Sequence, residues 1–346
     1  MRKQPKKKQP WKWVLFGFLV ILAIAAVFVI TLGAGIFSGF DKMRDTASDS
    51  KFAQFEDKKV EVPKWEGKER VNILLLGVDA RGLDKDQVPR SDTMLVASLD
   101  PVTKKIHLFS VLRDTYVDIE GHGRGRINTA ITLGGPTLAM KTVGDLLDLD
   151  IQYYVYTDFE GFKALIDEIG GVNFEVEKDM HYTDGADDNL YDIDLKAGYQ
   201  LLDGDKALQY VRFRHDAMSD FTRTERQRNL LTAVAKQTLT TGNILKFDDI
   251  LNSVAPYIKM DISTSDMLKL ARLGVDAHVA GTAQVPPMDL IADEKVGGAS
   301  VLAVRDLDRL HAFVQETLAM DSTVPVPSAS PDATGTDSTS STGNAQ

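Results

Sequence analysis

Five arginines lie close together in one segment of an acidic chain of 346 residues with a formal net charge of -10. They are Arg212, Arg214, Arg223, Arg226 and Arg228. The planar guanidinium group of arginine binds phosphate or carboxylate through two parallel hydrogen bonds. The segment therefore predicts either ion pairs with the chain's own carboxylates or a binding site for an external phosphate. Arg212 and Arg214 would share a face if their backbone is extended.

Part of this segment has the spacing of one helix face. Positions i, i+4, i+7 and i+11 lie on one stripe of an α-helix, and they are occupied by Arg223, Gln227, Leu230 and Val234. Leu230 and Val234 should face the core, so Arg223 and Gln227 should point the same way near the helix N-terminus. An inward guanidinium is costly unless it is paired, and a helix N-terminus favours anions. Both the internal and the external partner remain open.

Two aspartates flank the turn between the first two predicted strands. Asp79 follows the strand that ends at Gly77, and Asp92 precedes the strand that begins at Thr93. Neighbouring strands would bring both carboxylates to one sheet edge, and Mg²⁺ takes few carboxylates plus water and phosphate oxygens. The alternative is a turn aspartate and a strand-capping aspartate. Three arginines stand near the pair in sequence, namely Arg81, Arg90 and Arg113.

Strand and helix patterns alternate through the middle of the chain. Short apolar runs predict strands at 71–77, 93–101, 105–111, 115–119, 153–157, 172–177 and 279–285. Helix patterns, several with a capping residue, cover 136–149, 159–169, 203–211, 220–240, 243–256, 264–277 and 305–318. Glycine-rich 121–126 and acidic 178–194 predict loops. This alternation predicts an α/β fold around one mostly parallel or mixed sheet.

The N-terminus has the pattern of a membrane anchor. Residues 1–13 carry six basic side chains and no acid, and residues 14–37 form an uncharged run of 24 residues. A helix of this length spans the ~30 Å hydrocarbon core of a bilayer. The alternative, a signal peptide, has a shorter apolar core of about 7–15 residues. Because basic flanks stay in the cytoplasm, the rest of the chain is predicted to lie outside the cell membrane.

The outer part of the chain divides into three segments. Residues 38–70 are polar and predict an extracellular stalk, and residues 71–320 predict the globular domain. Residues 321–346 are rich in Ser, Thr, Pro and Gly and predict a disordered tail. The chain has no cysteine, so the outer domain folds without disulfides. An acidic external domain is a poor match for nucleic acid, which is excluded as a partner.

Seven segments occur together in a characteristic order. They are VNILLLGVDAR, RSDTMLVASLDP, LFSVLRDTYVDI, RINTAITLGG, TDFEGFKALIDEIGGVNFEV, GYQLLDGDKALQYVRFRHD and DFTRTERQRNLL. This order resembles the LytR-CpsA-Psr family over about Val71 to Lys236. The chain departs from the family pattern at Leu112, where proline is usual, and at Ile131, where an aromatic residue is common. Val117 stands where some members carry a further arginine.

The resemblance implies an Mg²⁺-dependent bacterial cell-wall enzyme, with a central mixed sheet flanked by helices and an apolar cavity for a lipid tail. Such enzymes move a glycopolymer from a polyprenyl-pyrophosphate carrier to peptidoglycan, forming a phosphodiester. By motif, Asp79 and Asp92 resemble the acids that hold Mg²⁺. The residues that resemble the pyrophosphate-binding set are Arg90, Arg113, Arg212, Arg214, Arg223 and Gln227. The resemblance assigns catalysis to Asp79, Asp92, Arg113 and Arg223.

Two other functions are compatible with the same residues. A polyprenyl-pyrophosphate hydrolase would use water as the acceptor, and a non-enzymatic protein would bind the lipid-linked glycan without turnover. In either enzyme, fixed guanidinium groups and Mg²⁺ would offset the charge that develops on the pyrophosphate oxygens. The sequence does not identify the glycopolymer: teichoic acid, capsule and arabinogalactan all remain open.

Overall fold

The computed structural model describes residues 38–44, 52–58, 62–80, 83, 87–183, 192–215, 220–238, 240–244, 246–274 and 276–320. The predicted cytoplasmic tail (1–13), transmembrane helix (14–37) and C-terminal tail (321–346) lie outside these ranges and stay predictions. Within the described ranges, no helix is both long and apolar enough to cross a bilayer.

Strands are distributed along the whole described part of the chain. They are β1 (Val71–Val78), β2 (Ser91–Leu99), β3 (Lys105–Val111), β4 (Thr115–Ile119), β5 (Gly123–Arg126), β6 (Tyr153–Asp158), β7 (Val172–Val176), β8 (Met180–Tyr182), β9 (Ile193–Leu195), β10 (Gly198–Leu202), β11 (Ile258–Met260), β12 (His278–Val285), β13 (Ile291–Val296) and β14 (Ala299–Val304).

The helices alternate with these strands. They are α1 (Ala130–Leu147), α2 (Phe159–Glu168), α3 (Gly204–Arg212), α4 (Asp220–Thr238), α5 (Thr241–Ile244), α6 (Phe247–Val254), α7 (Thr264–Gly274) and α8 (Leu307–Ala319). Helix α1 is kinked at Gly134 and Gly135, where Gly135 has a φ of 70°. Pro136 then begins the straight part, as predicted, because its ring fixes the φ that a first helical residue needs.

A six-stranded sheet in the order β11-β6-β1-β2-β3-β12 forms the centre of the fold. Strand β1 pairs antiparallel with β2 and parallel with β6, and β3 pairs parallel with β12. The sheet is therefore mixed, which confirms the predicted fold class. A second sheet has the order β13-β14-β4-β5, and two small ladders join β7 to β10 and β8 to β9.

Alternate side chains of β1 face opposite sides of the central sheet, as the two-residue period of a strand requires. Leu74 and Leu76 are buried in the main core, which α1 and α8 cover. Leu75, between them, lines a cavity on the other side, which α2, α3 and α4 enclose. The two faces of the sheet therefore have different roles, one structural and one open to a ligand.

Several predicted segments differ from the structure, among them 243–256, which contains the end of α5 and the separate helix α6 and not one continuous helix. The run 121–126 is not only a loop, because β5 pairs with β4 there after glycines with positive φ, Gly121 and Gly123, complete the turn. The segment 178–194 contains strands β8 and β9. Strand β5 contains only Gly and Arg, and β8 and β9 are only three residues long each, so none of them gives an apolar alternation long enough to predict a strand.

The predicted stalk, residues 38–70, is also different in its described parts. Phe40, Met43 and Trp65 are buried in a cluster with α6 and β11, and Phe52 is buried in the main core. These apolar side chains are isolated among polar neighbours, so the polar average composition of residues 38–70 did not indicate that they are buried. The globular unit therefore begins before residue 71, since this segment contributes to its core.

Candidate active site

Asp79 and Asp92 lie at one edge of the central sheet. Strand β1 ends at Val78, and β2 begins beside it because Val78 is paired with Ser91. The next pair joins Gly77 to Thr93, so the register shifts and Asp92 has no partner across the ladder. Such a bulge bends the strand and re-aims its side chain, and bulges are common next to active sites. Both aspartates line the same cavity.

Arg113 extends from the end of β3 toward this edge. Its Nη1 donates to Oδ1 of Asp92 at 2.5 Å. Its Nε lies 3.4 Å from Oδ2 of Asp114 and 3.4 Å from Oδ2 of Asp220. Burial lowers the pKa of the Arg113 guanidinium, but the negative charges of Asp220, Asp92 and Asp114 outweigh it and raise the pKa. Arg113 is therefore held charged between three carboxylates.

Arg212 and Arg214 stand at the end of α3. Helix α3 ends at Arg212, and Phe213 adopts an extended conformation with its side chain in the core. Only the backbone after Arg212 is extended, so the condition of extended backbone at both arginines is not met. Both side chains nevertheless line the cavity, because Phe213 takes the inward position between them.

Arg214 lies within a group of charges of both signs. Its Nε is 3.7 Å from Oδ1 of Asp220, and its Nη2 is 3.9 Å from Oδ1 of Asp92. Burial and the positive charge of Arg113 lower the pKa of the Arg214 guanidinium, while Asp220, Asp92 and Asp114 oppose the shift. The three carboxylates therefore do not fully offset the effects of burial and of Arg113 on the Arg214 guanidinium. An additional anion would stabilise its charged form.

Helix α4 contains the predicted stripe, and all four of its residues are buried on one side of the helix. Leu230 and Val234 are buried in the core at 0% and 5% exposure, and Arg223 and Gln227 are buried at 2% and 8%. Arg223 and Gln227 line the cavity beside the first turns of the helix. Nη2 of Arg223 donates to the backbone carbonyl of Asp92 at 3.3 Å and lies 3.4 Å from Oδ1 of Asp220.

The remaining two arginines of the cluster do not line the cavity. Arg226 donates from Nε to Oε1 of Glu177 at 2.7 Å and from Nη1 to the carbonyl of Phe213 at 3.1 Å. Its guanidinium also lies over the ring of Phe213, 5.3 Å from the centroid. Arg228 is buried at 8% exposure outside the cavity lining. Arg226 therefore follows the internal-partner alternative, whereas Arg223 has an internal contact with Asp220 and also lines the cavity, where an external anion could reach it.

The cavity itself has a volume of about 520 Å³ and two chemically distinct parts. Its walls include apolar side chains from β1, β2, β6, β11, α2, α3 and α4, namely Leu75, Leu95, Val155, Phe162, Leu165, Leu208, Val211, Leu231 and Ile258. Its charged part contains Asp79, Asp92, Arg113, Arg212, Arg214, Arg223 and Gln227. Such a cavity suits an amphiphile with a long apolar chain and an anionic head.

Two guanidinium nitrogens in the charged part lack hydrogen bonds within the described residues. They are the buried Nε atoms of Arg113 and Arg223. The Nε of Arg113 does lie 3.4 Å from two carboxylate oxygens, but the geometry of a hydrogen bond is not met. Unsatisfied buried donors are costly, so an anion that reaches these atoms would gain more than one that binds exposed arginines.

Arg90 is separated from the other predicted phosphate-binding residues. It is exposed and lines a second cleft, which also contains Asp79, Asp92 and Arg113 but not the arginines of α3 and α4. The two acids thus border both spaces. The family resemblance names these two acids as metal ligands, and the described residues contain no group of three or more His, Cys, Asp or Glu suited to a metal ion.

Two acids of the site were missed by sequence reasoning. Asp220, the first residue of α4, contacts Arg113, Arg214 and Arg223, and the only signal was an acid at a helix N-terminus. Asp114 contacts Arg113 and Arg126, and the signal was the adjacent Arg-Asp pair. Their partners are distant in sequence, so neither role could be deduced without the fold.

Comparison with known proteins identifies the family. The LytR_cpsA_psr family model matches residues 37–309. The polyisoprenyl-teichoic acid–peptidoglycan teichoic acid transferase TagU of Enterococcus faecalis is 33% identical over 264 residues, which are 75% of this chain and 81% of TagU. The corresponding TagT of Bacillus subtilis is 32% identical over 272 residues, 78% of this chain and 83% of TagT.

Solved structures agree with the sequence comparison. The structure of TagT bound to LI-WTA is similar with a TM-score of 0.60 and 26% identity, covering 75% of this chain and 94% of the TagT chain. The family model covers most of the chain, and the relatives exceed 30% identity over more than two thirds of it. The protein belongs to the LytR-CpsA-Psr family.

Proposed function

We propose that this protein transfers a glycopolymer from a polyprenyl-pyrophosphate carrier to peptidoglycan, forming a phosphodiester. The observation that carries the proposal is that one cavity combines apolar walls with a charged end built from arginines and aspartates. The apolar walls match the lipid tail of a lipid pyrophosphate, and the charged end matches its pyrophosphate group. The names of TagU and TagT, teichoic acid transferases acting from a polyisoprenyl carrier to peptidoglycan, support the same class of reaction.

The lipid tail would occupy the apolar part of the cavity. Burying its methylene groups contributes about 0.8 kcal/mol each, which gives affinity without chemical specificity. The specificity would come from the arginines around the pyrophosphate, because a guanidinium fork matches phosphate oxygens. Arg212, Arg214 and Arg223 line the cavity itself. Arg90 lies toward the second cleft and would contact the pyrophosphate only from that side.

Catalysis would rest on positioning and charge stabilisation. A hydroxyl of the acceptor attacks the glycan-side phosphorus, a new P–O bond forms, and the bond from that phosphorus to the bridging oxygen breaks. The polyprenyl phosphate leaves, and the hydroxyl proton passes to a carboxylate at the shared edge, for which Asp92 is the candidate. Arg113 and Arg223 are placed to offset the charge that develops on the phosphate oxygens.

Mg²⁺ is the proposed cofactor, held by Asp79 and Asp92. The donor set fits this ion, because two carboxylates at one edge leave most of the coordination shell to water and phosphate oxygens, as Mg²⁺ prefers. When bound, the ion would neutralise the pyrophosphate charge and stabilise the leaving group. Arg113 donates to Asp92 in the structure, so its guanidinium would orient that carboxylate.

The site also fits a location at the outer face of a cell membrane. The proposed donor lies in the bilayer, and its tail must reach the cavity. An N-terminal membrane anchor, predicted for residues 14–37, would hold the domain near that surface and raise the effective donor concentration.

A transfer assay with the full-length protein in detergent micelles tests the proposal. Donor with a short prenyl pyrophosphate and a glycopolymer stub is mixed with soluble peptidoglycan fragments, and products are identified by mass. We expect a phosphodiester-linked product with Mg²⁺ and loss of turnover with chelator. Products in which water alone has acted as the acceptor would indicate a hydrolase. Binding of the donor without turnover would indicate a non-enzymatic protein. Equal rates in chelator and Mg²⁺ would exclude the metal.

A further inference from the structure

The second cleft reaches the same charged edge from the opposite side of the central sheet. It is open, has a volume of about 830 Å³, and shares Asp79, Asp92 and Arg113 with the lipid-type cavity. Its other walls include Phe55, which packs against the main core on the α1 side. The first cavity is instead bounded by Leu75 and α2–α4, on the other face. Among the described residues, the two spaces share Asp79, Asp92 and Arg113, so they meet at the carboxylate edge.

The walls of the second cleft are mixed, with Leu83, Val88 and Pro89 beside many polar side chains, whereas the walls of the first cavity are mostly apolar. Arg126, at the end of β5, holds Asp114 at 3.2 Å on one wall. Gln54, Asn128 and Thr132 add amide and hydroxyl groups. The half-buried ring of Phe55 lies among them. Amide and hydroxyl groups beside an aromatic ring suit a sugar, which has hydroxyl groups at its rim and C–H groups on its faces.

Asn128 provides an independent sign of a ligand. It is 4% exposed, lines the cleft, and its Oδ1 has no hydrogen-bond partner in the described part of the chain. An unpaired buried acceptor is costly, and native proteins have few of them. Thr132 donates its hydroxyl hydrogen to the carbonyl of Thr129 at 2.8 Å, so its oxygen is left as an acceptor. Both oxygen atoms can accept hydrogen bonds from a ligand, and the hydroxyl groups of a sugar can donate them.

The reaction geometry assigns the direction of approach. In-line displacement at phosphorus places the attacking and leaving oxygens on opposite sides. If the leaving polyprenyl phosphate occupies the first cavity, the attacking hydroxyl must arrive from the other side of the carboxylate edge. The second cleft opens there. We infer, resting on the proposed function, that this cleft binds the acceptor glycan and that Asn128 and Thr132 are acceptor-binding residues.

Steady-state kinetics with varied acceptor tests this inference. The assay uses the full-length protein, lipid-linked donor and soluble peptidoglycan fragments. Asn128→Ala and Thr132→Val should each raise KM for the acceptor about tenfold, the loss expected for one hydrogen bond to a ligand. KM for the donor should not change. Thr137→Val is the matched control, because Thr137 lies on the same helix and lines a separate cavity.

Direct binding separates this inference from the proposed function. Calorimetry of the same fragments needs no turnover, and it should show weaker binding by Asn128→Ala and Thr132→Val but not by Thr137→Val. Absence of any product with intact fragment binding would contradict the transferase function alone. Unchanged acceptor KM and unchanged fragment binding would overturn the inference, as would a raised donor KM, which would place the donor's glycan in the cleft. If Asn128→Ala does not fold, as judged by melting, Thr132→Val decides.

Discussion

Arg223 and Arg226 stand three positions apart on α4, yet their surroundings give them different roles. Arg223 shares one carboxylate, Asp220, with Arg113 and Arg214. The buried Nε atom of Arg223 has no hydrogen-bond partner in the described part of the chain, so it is available to a ligand anion. Arg226 instead has Glu177 as a close partner at 2.7 Å. Residue type and spacing predicted the first role, whereas the second depends on a residue 49 positions away in sequence.

Substitution of these two arginines should separate catalysis from stability. Arg223→Ala should reduce turnover about 100-fold or more, the usual loss when one charge-stabilising donor is removed. Its melting temperature should change little, since Asp220 keeps two other arginines. Arg226→Ala should cost about 2 kcal/mol of folding stability, less than the ~3–5 kcal/mol of a fully buried pair, because the Glu177 side chain is 46% exposed. Melting and turnover are measured together on both variants.

A loss of activity through unfolding alone would contradict the prediction for Arg223→Ala. If Arg223→Ala lost activity only in proportion to its unfolded fraction, Arg223 would be a structural ion-pair residue. Arg212→Ala and Arg214→Ala are expected to behave like Arg223→Ala, because all three line the cavity.

At the scale of elements, Glu177 joins β7 to two helices. It immediately follows β7, accepts from Arg226 of α4 at 2.7 Å and accepts from the Tyr210 hydroxyl of α3 at 3.0 Å. Burial raises the pKa of Glu177, but hydrogen bonds from Arg226, its own backbone and Tyr210 outweigh it, and the pKa is lowered. The folded carboxyl thus releases its proton at lower pH than the unfolded one.

This shift predicts an acid-dependent loss of stability. The unfolded chain binds more protons than the folded one between the folded pKa and about 4.3, the usual value for Glu. The contribution of Glu177 is therefore complete above that range and disappears as pH falls through the folded pKa. We expect the melting temperature of wild type to exceed that of Glu177→Gln at pH 7, and the difference to shrink below about pH 4. A constant difference across this range would exclude the ion pair as its source.

Elements with strong local signals were predictable, and those that depend on pairing were not. Asp158 caps α2 by accepting from the amide of Gly161, and Ser263 caps α7 by accepting from the amide of Asp266, so capping residues mark the starts of these predicted helices. Strands β13 and β14 were missed, although Gly297 and Gly298 between them have positive φ and mark a hairpin. The run of β13 is mostly polar and exposed, so no apolar alternation identified it.

At the scale of the molecule, the sequence located most of the charged site but not its boundaries. Strand ends placed Asp79, Asp92 and Arg113 together because sheet edges are set by local patterns. The separation of Arg90 from the α3 and α4 arginines, and the division of space into two clefts, depend on how helices cover opposite faces of the sheet. That arrangement is encoded by packing among distant residues, which no short motif contains.

The last prediction concerns the placement of the whole chain. Six basic residues precede an uncharged run of 24 residues, so the N-terminus should remain in the cytoplasm and the domain should lie outside. A membrane-anchored domain would also meet its lipid donor at the bilayer surface, as the apolar cavity requires. Protease added to intact cells after wall removal should digest the domain, while a cytoplasmic control protein stays whole. A domain protected until the cells are lysed would place it inside and contradict both the topology and the proposed access to peptidoglycan.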